Sequence, residues 1–241
     1  MLTQDYSLYT DEDQNVWSIL FKRQLAVVGE VAYGHFKEGL AKLHFTAAGI
    51  PSFKTTNQLL EPLTGWQIYA VPGLIANEEF FEWMSLKKFG ATTWLRKKEQ
   101  LDYLEEPDMF HDVFGHVPLL ADPLICDYLF TLAQTAKKYN YREEVVTAIS
   151  RLYWYTIEFG LVKENDTIKI YGAGILSSPG ETKYCLSDKA NRVDFDLQKI
   201  IAYPYIIDSF QEQYYMLHSM HQLKAAVEAL DEHLQIKYAT A

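Results

Sequence analysis

The stretch RLYWYTIEFGL, residues 151–161, is apolar or aromatic at most positions and constrains the fold more than any other segment. A helix of this composition is stable only when it is buried in a core. One carboxylate, Glu158, lies inside it. An isolated carboxylate is costly to bury unless it is paired, protonated or bound to a cation. The chain must therefore bury this helix and provide a partner for Glu158.

A second segment, HDVFGH at residues 111–116, places two histidines five positions apart. On a regular α-helix such residues differ by about 140° in direction. Gly115 is suited to the left-handed position that ends a helix, and Pro118 prevents its continuation. We therefore expect His116 to lie beyond the helix end, where its ring can turn toward His111. With Glu158 these rings form a three-ligand set, which suits non-haem Fe(II) and also zinc.

Other interpretations of these residues stay open at this point. The histidine pair could cap a helix end, and Glu158 could be the buried partner of Arg142 or Arg151. His218 and His221 form a competing pair, but a helix start predicted between them separates the two rings. The three remaining lone histidines are interpreted as surface or satisfied core residues, namely His35, His44 and His233.

The apolar spacing predicts a mainly α fold with a few short β-strands (α+β), in a single domain over residues 1–241. Helices are expected after a Thr10 cap, from about 31 to 48, from 77, from Pro107, at 121–140, at 142–161 and after Ser219. Strands are expected at 66–71, 91–96 and 168–172. Residues 51–65 and 172–181 are expected to be loops because they contain prolines and glycines.

Composition limits the partners and the compartment. The net charge is −10, from 32 acidic and 22 basic residues, so the chain should repel nucleic acid and anionic membranes. No apolar run reaches transmembrane length, and the polar N-terminus lacks the pattern of a secretory signal. Cys126 and Cys185 show no metal-binding spacing and suit a reducing compartment. We expect a cytoplasmic protein without nucleic-acid or membrane partners.

Three segments together resemble the pterin-dependent aromatic amino acid hydroxylases, most closely the short bacterial members that act on phenylalanine. They are EEPDMFHDVFGHVPLL (105–120), YWYTIEFGL (153–161) and IKIYGAGILSSPGETKYCLS (168–187), and the similarity runs from about 14 to about 220. The resemblance implies a catalytic domain of that type. It implies conversion of L-phenylalanine to L-tyrosine with O₂, Fe(II) and tetrahydrobiopterin or another tetrahydropterin. His111, His116 and Glu158 match the iron ligands of the family.

The resemblance also implies a substrate site. Arg96 matches the arginine that holds the substrate carboxylate, and Asp108 matches the aspartate that orients it. Trp154 matches the aromatic wall beside the substrate ring. Gly174 and Ser177 match the loop that receives the amino acid backbone.

A pterin site is implied on the other side of the iron. Phe80 matches the ring that stacks on the pterin, although its neighbour Phe81 leaves this assignment open by one position. The remaining positions that match pterin contacts, or a carboxylate beside the first iron ligand, are Gly73, Leu74, Ile75, Asp112 and Tyr153.

Two departures from the animal members concern side-chain selectivity. Leu104 stands where they have threonine, and Pro179 stands where they have phenylalanine. The chain also lacks matches to their regulatory domain and tetramerisation helix, which implies a monomer. Three alternatives are carried forward: a tryptophan or tyrosine hydroxylase of this family, a zinc hydrolase with the same ligands, and a non-enzymatic aromatic-binding protein with a structural metal.

Overall fold

The computed structural model describes residues 2–102, 104, 106–207 and 209–239. Within these ranges the chain is mainly helical with short strands, which confirms the predicted fold class. The α-helices are α1 (Asp11–Val28), α2 (Gly34–Lys42), α3 (Phe53–Thr64), α4 (Asn77–Met84), α5 (Pro123–Lys138), α6 (Glu143–Tyr153), α7 (Ala173–Leu176), α8 (Pro179–Cys185), α9 (Leu197–Ala202) and α10 (Gln222–Ala239). The strands are β1 (Gln67–Val71), β2 (Lys88–Thr92), β3 (Leu161–Glu164), β4 (Thr167–Ile170), β5 (Asn191–Asp194) and β6 (Gln213–Leu217).

Two short segments are π-helical and are named here the first π turn, Phe110–His116, and the second π turn, Trp154–Glu158. The first is followed directly by a 3₁₀ turn, Val117–Ala121, and the second continues directly from α6. π-helices are rare, and those that occur often lie at functional sites. The helix predicted at 142–161 is present as α6 up to Tyr153, and the second π turn replaces its end. The first π turn replaces the regular helix predicted from Pro107.

The prediction of a loop at residues 51–65 is wrong, because α3 occupies most of it. Ser52 caps the helix by accepting a hydrogen bond from the Thr55 amide, and Gly65 ends it with a left-handed φ of 77°. A proline costs a helix most in its interior. Pro51 precedes the cap. Pro62 lies inside the helix and removes one backbone hydrogen bond, but α3 ends only two residues after it.

The strands form two small sheets. β1 and β2 are parallel neighbours, and the second sheet has the order β4-β3-β6-β5 with only the β3–β4 pair antiparallel. The predicted strands at 66–71 and 168–172 are confirmed by β1 and β4. The strand predicted at 91–96 instead runs from Lys88 to Thr92. Gly90 lies inside it, where a Cβ would come 2.9 Å from Cγ1 of Val71, so this glycine marks close packing.

The buried apolar residues from Val16 to Leu234 form one connected core. Aromatic rings from the first helices surround the first π turn. Phe21 of α1 and Phe36 of α2 make edge contacts with Phe114, at ring-centroid distances of 5.2 and 5.6 Å. Phe110 stacks on Phe114 at 4.7 Å. These contacts fix the outer side of the π turn and leave its histidines facing inward.

In the described ranges, no single helix has the length and apolar composition needed to cross a membrane. Phe110–Ala121 and Pro123–Lys138 meet that requirement only as a pair, which is bent by 107°. The division of the chain into domains stays a prediction, and the number of unfolding transitions would test it.

Candidate metal centre and substrate pocket

The first π turn brings the two histidines of HDVFGH together. The Nε2 atoms of His111 and His116 lie 3.2 Å apart. The predicted cause is wrong, because Gly115 stays within the helical run and is not a left-handed terminator. A π-helix closes its hydrogen bonds over five residues, so residues five apart lie on nearly the same side. Gly115 has a different role, since a Cβ there would lie 2.9 Å from the Ala173 carbonyl oxygen.

The second π turn brings Glu158 to the same point. The amide of Phe159 donates to the Trp154 carbonyl 2.9 Å away, which is a five-residue step. The Glu158 carboxylate oxygens lie 3.1 Å from Nε2 of His116 and 3.6 Å from Nε2 of His111. Ligands about 2.1 Å from a metal ion and at right angles would stand about 3 Å apart. The three side chains therefore form a triangle of the size that one face of a metal site requires.

The alternative partners of Glu158 are occupied elsewhere. Arg151 donates through Nη1 to the Ile201 carbonyl at 2.7 Å, and the Arg142 guanidinium lies 4.6 Å from the ring centroid of Tyr238. Neither arginine is paired with Glu158 in the part of the chain that the structure describes. The histidine rings face each other and the carboxylate, so they do not cap a helix end.

The electrostatics of the triangle favour a cation. Burial lowers the pKa of His111 below its ordinary value. Burial opposes the charge of His116 also, but the charge and hydrogen bond of Glu158 outweigh it and raise the pKa of His116. Burial would raise the pKa of Glu158, whereas the charge and hydrogen bond of His116 lower it. The carboxylate of Glu158 thus favours a positive charge beside it, which a divalent ion would supply.

A serine fixes the orientation of the His111 ring. The Ser177 hydroxyl donates to the Ala173 carbonyl oxygen at 2.8 Å, so its oxygen is left to accept from Nδ1–H of His111 at 2.9 Å. With the proton on Nδ1, the lone pair of Nε2 points to the centre of the triangle. A partner of this kind on the outer ring nitrogen is typical of metal-binding histidines.

The segment GAGILSSPGE, predicted as a loop, contains α7 and the start of α8. Its first two glycines let it approach the second π turn closely. A Cβ on Gly172 would lie 2.4 Å from the Glu158 carbonyl oxygen, and one on Gly174 would lie 3.1 Å from it. The amide of Gly174 also lowers the pKa of Glu158. In the structure these glycines position Glu158, while a role in receiving the amino acid backbone stays a prediction.

Arg96 and Asp108 form a buried ion pair. Nε and Nη2 of Arg96 donate to the two carboxylate oxygens at 2.8 and 2.9 Å, a two-point geometry that fixes the guanidinium plane. Burial would raise the pKa of Asp108, but the hydrogen bonds and charge of Arg96 hold it below its usual value. Asp108 also accepts from the His111 amide at 3.2 Å. Among the described residues no hydrogen bond engages Nη1 of Arg96, which leaves it for a ligand.

Aromatic rings lie beside the triangle. Phe80 is half-buried and contacts the Tyr153 ring edge-on at 5.4 Å, whereas Phe81 is fully buried in the core. Of these two phenylalanines, only Phe80 can therefore offer a ring face to a ligand. Tyr153 lies parallel to the His116 ring at 6.4 Å. Trp154 is half-buried and stacks on Tyr205 at 4.3 Å.

Comparison with known proteins places this arrangement in a family. The model of the family "Biopterin-dependent aromatic amino acid hydroxylase" matches residues 5–241. The chain belongs to this family. It is 46% identical over 223 residues to the phenylalanine-4-hydroxylase of Chromobacterium violaceum, an alignment that covers 92% of this chain and 75% of the relative.

Solved structures of phenylalanine hydroxylase from the same bacterium are similar throughout. The structure with bound iron(III) and oxidised 7,8-dihydrobiopterin has a TM-score of 0.91 and 44% identity, and covers 100% of this chain and 86% of its own. The structure with bound iron and phenylalanine has a TM-score of 0.89 and 42% identity, and covers 97% and 86%. Membership in this hydroxylase family favours an oxygenase over the zinc hydrolase and the non-enzymatic binder.

The residues matched to the pterin site of the hydroxylases differ in burial. Leu74 is 79% exposed, and a Cβ on Gly73 would contact nothing within 4 Å, so this loop after β1 is open to solvent. Asp112 accepts from the Thr92 amide and hydroxyl at 2.7 and 2.8 Å, which joins β2 to the first π turn. Its carboxylate is therefore held by the protein, and any pterin contact it makes stays a prediction.

The competing histidine pair does not converge. His218 lies 2.8 Å from a carboxylate oxygen of Asp194, on an exposed edge. The amide of His221 donates to Ser219 at the start of α10. Among the described residues, the single group of three possible ligands close enough for one metal ion is His111, His116 and Glu158.

Three structural relationships in this hydroxylase had no signal in the sequence. They are the hydrogen bond of Ser177 to His111, the bond of Thr92 to Asp112, and the bond of Gln211 to Trp154 at 2.9 Å. Each partner lies 20 or more positions away along the chain, and the farthest lies 66 away. Spacing within a motif cannot reveal such pairs.

Proposed function

We propose that this chain is a phenylalanine 4-monooxygenase that converts L-phenylalanine to L-tyrosine with O₂ and a tetrahydropterin at a non-haem Fe(II) centre. The observation that carries the proposal is the partly buried triangle of His111, His116 and Glu158, in which His116 is the most buried member. Two neutral imidazoles and one carboxylate on one face are the ligand set of non-haem Fe(II) oxygenases. The bacterial relatives named phenylalanine-4-hydroxylase support the substrate.

When bound, ferrous iron and the reduced pterin supply the electrons that activate oxygen for ring hydroxylation. The protein contributes ligand placement. The two π turns hold the three ligands from separate parts of the chain, and Ser177 keeps the Nε2 lone pair of His111 directed inward. The rings of Phe89 and Tyr153 pack beside His116 and limit the access of water, which protects a reactive centre from side reactions.

The amino acid substrate is bound at the charged end by Arg96. Its guanidinium is held rigid by Asp108, and Nη1 is directed to the substrate carboxylate in the proposed complex. Trp154 lies beside the substrate ring, and Gly174 and Ser177 lie beside its backbone. Because Asp108 also bonds the His111 amide, the carboxylate grip and the metal ligand are fixed relative to each other.

The reduced pterin is proposed to bind against the half-buried face of Phe80, near Tyr153. The loop of Gly73, Leu74 and Ile75 offers backbone groups to its edge, and Asp112 supports the first π turn beneath it. The structure with bound 7,8-dihydrobiopterin of the Chromobacterium violaceum enzyme supports this class of cofactor. The physical support in this chain is the half-buried ring of Phe80, which lies in α4, the helix that follows the exposed loop after β1.

The decisive experiment is an activity assay with defined metal content. Metal-free protein loaded anaerobically with Fe(II) should form tyrosine from phenylalanine when tetrahydropterin and O₂ are added, whereas the zinc-loaded protein should not. Glu158→Ala, treated identically, should retain no iron. Full iron content in that variant would contradict the ligand assignment. Assays with tryptophan and tyrosine test the other specificities of the family, and the proposal requires phenylalanine to be preferred.

The protein is further proposed to act as a cytoplasmic monomer. Its net charge of −10 favours separate molecules in solution, and its two cysteines are buried free thiols, which suits a reducing compartment. Light scattering at assay concentration and fractionation of expressing cells test these two statements.

A further inference from the structure

The side chain of Gln211 joins the wall of the substrate pocket to a surface segment. Its Oε1 accepts from the indole Nε1–H of Trp154 at 2.9 Å. Its Nε2 donates to the Ile206 carbonyl at 2.9 Å and to the Ser209 carbonyl at 3.5 Å. If the amide were reversed, its NH₂ group would face the indole N–H and its oxygen would face the two carbonyl oxygens. Neither arrangement forms a hydrogen bond, so these partners define one orientation of the amide.

Gln211 is itself held firmly in place. The residue is only 3% exposed, and its amide donates to a carboxylate oxygen of Glu181 at 3.2 Å. Glu181 is 4% exposed and also accepts from the Tyr214 hydroxyl. Glu181 belongs to α8, which follows Ser177 directly, so Gln211 is anchored to the segment that orients His111.

The segment at residues 203–207 packs onto the same indole. Tyr205 stacks on Trp154 at a centroid distance of 4.3 Å and an interplanar angle of 14°, and Tyr155 donates to the Pro204 carbonyl at 3.0 Å. The Gln211 amide is thus bonded both to the indole and to the backbone next to the ring that stacks on it. Losing this amide would remove the partner of the half-buried indole N–H and release the backbone beside Tyr205.

We infer that Gln211 is a positioning residue for substrate selectivity, which holds the Trp154 indole and the Tyr205 segment in one arrangement and so defines the space for the substrate ring. The inference rests on the proposed function, because it takes Trp154 as the wall beside that ring. Among the described residues, Gln211 forms no hydrogen bond to any of the three proposed iron ligands or to Arg96. Its effect is therefore expected on the amino acid and not on metal or pterin.

The test is a double-mutant cycle between Gln211→Met and Trp154→Phe. Methionine has a similar length but no amide, so Gln211→Met should raise the KM for phenylalanine by up to about tenfold, as expected for one lost hydrogen bond. It should also lower the preference for phenylalanine over tryptophan and the tyrosine formed per tetrahydropterin oxidised. Iron content and the KM for tetrahydropterin should stay within about twofold of wild type on the same reasoning.

The cycle separates positioning from general loss of structure. Because Trp154→Phe removes the N–H that Gln211 accepts, adding Gln211→Met to it should change the KM much less than in wild type. Gln134→Met is the matched control, since Gln134 also donates to a backbone carbonyl, that of Ser85, but lies away from Trp154. If Gln211→Met fails to fold, Gln211→Asn carries the test, because it keeps an amide but withdraws it by one methylene.

Two outcomes overturn the inference while leaving the proposed function intact. In the first, the wild type forms tyrosine and the two substitutions act additively. In the second, Gln211→Met leaves both the KM and the amino acid preference unchanged. A wild-type protein that forms no tyrosine at all would instead overturn the proposed function.

Discussion

Nδ1 of His111 lies 2.9 Å from Oγ of Ser177, a hydroxyl whose own proton goes to the carbonyl oxygen of Ala173. The serine can therefore only accept from the histidine, which places the ring proton on Nδ1 and the lone pair on Nε2. Metal binding requires that lone pair. The orientation of a metal ligand thus depends on a residue 66 positions farther along the chain.

Ser177→Ala should weaken Fe(II) binding by about 10- to 100-fold, the usual effect of removing the outer partner of a metal-binding histidine. The reason is that the ring loses its fixed tautomer and orientation while the three ligands remain. Titration against a competing chelator under anaerobic conditions measures this. Ser187→Ala is the control, since Ser187 likewise donates to a backbone carbonyl but lies in a separate turn. Equal iron affinity in the two variants would contradict the role of Ser177.

The ligand identities could be predicted because their signal is chemical and local. A lone carboxylate in an apolar helix and two histidines in six residues need a shared partner wherever they lie. Their geometry could not be predicted in the same way. The sequence favours Gly115 as a helix terminator, yet the structure uses it as the contact point for Ala173 of α7. That choice depends on tertiary packing, which overrides local preference.

The fold shows the same division. Helices with strong apolar spacing and clear caps, such as α1 after the box of Thr10 and Asp13, could be predicted. The segments containing α3 and α7 could not, because prolines and glycines usually interrupt helices. Pro51 lies before α3 and Pro62 lies two residues before its end, while near α7 the glycines permit close packing against Glu158. In both segments tertiary contacts determine whether a helix forms, and a local sequence pattern carries no information about those contacts.

Arg96→Lys should raise the KM for phenylalanine by about 10- to 100-fold, since a charged hydrogen bond contributes about 1.5–3 kcal/mol. A lysine cannot pair with both oxygens of Asp108 and still direct a rigid donor to the substrate. Iron content and the KM for tetrahydropterin should be unchanged. Steady-state kinetics with metal analysis measure these quantities. Arg23→Lys changes an arginine in an exposed pair with Asp102 and should leave the KM unaltered. An equal KM in both variants would remove Arg96 from the substrate site.

Gly172→Ala should reduce both stability and iron content. A Cβ there would lie 2.4 Å from the Glu158 carbonyl oxygen and 2.5 Å from the Gly160 nitrogen, so backbone must move. Overpacking of this kind costs about 1–3 kcal/mol, or about 2–4 °C of Tm per kcal/mol in a chain of this size. Gly73→Ala is the matched control, because a Cβ there meets nothing within 4 Å. Thermal unfolding measures the stability of both variants, and metal analysis measures their iron content. Normal iron content in Gly172→Ala would contradict the packing argument.

Glu181→Gln should change how stability depends on pH. Burial raises the pKa of Glu181 above its ordinary value of 4.5, although Tyr214 and the Gln211 amide oppose this by hydrogen bonding. Between 4.5 and the raised pKa the folded protein binds more protons than the unfolded chain. The free energy of unfolding therefore falls as pH rises through this interval, by at most about 1.4 kcal/mol per pH unit.

The Gln211 amide and the Tyr214 hydroxyl can both still donate to the oxygen of a glutamine at position 181. The substitution removes the titrating group and adds two buried amide protons, whose cost is the same at every pH. The diagnostic quantity is thus the slope of the free energy of unfolding against pH. The part of this slope above pH 4.5 that Glu181 causes should disappear in Glu181→Gln, once the general effect of one lost charge is subtracted. Glu61→Gln, at an exposed position of α3, provides that subtraction. Denaturant unfolding between pH 4 and 8 measures it, and parallel curves for wild type and Glu181→Gln would show that this buried carboxyl group does not destabilise the fold when it ionises.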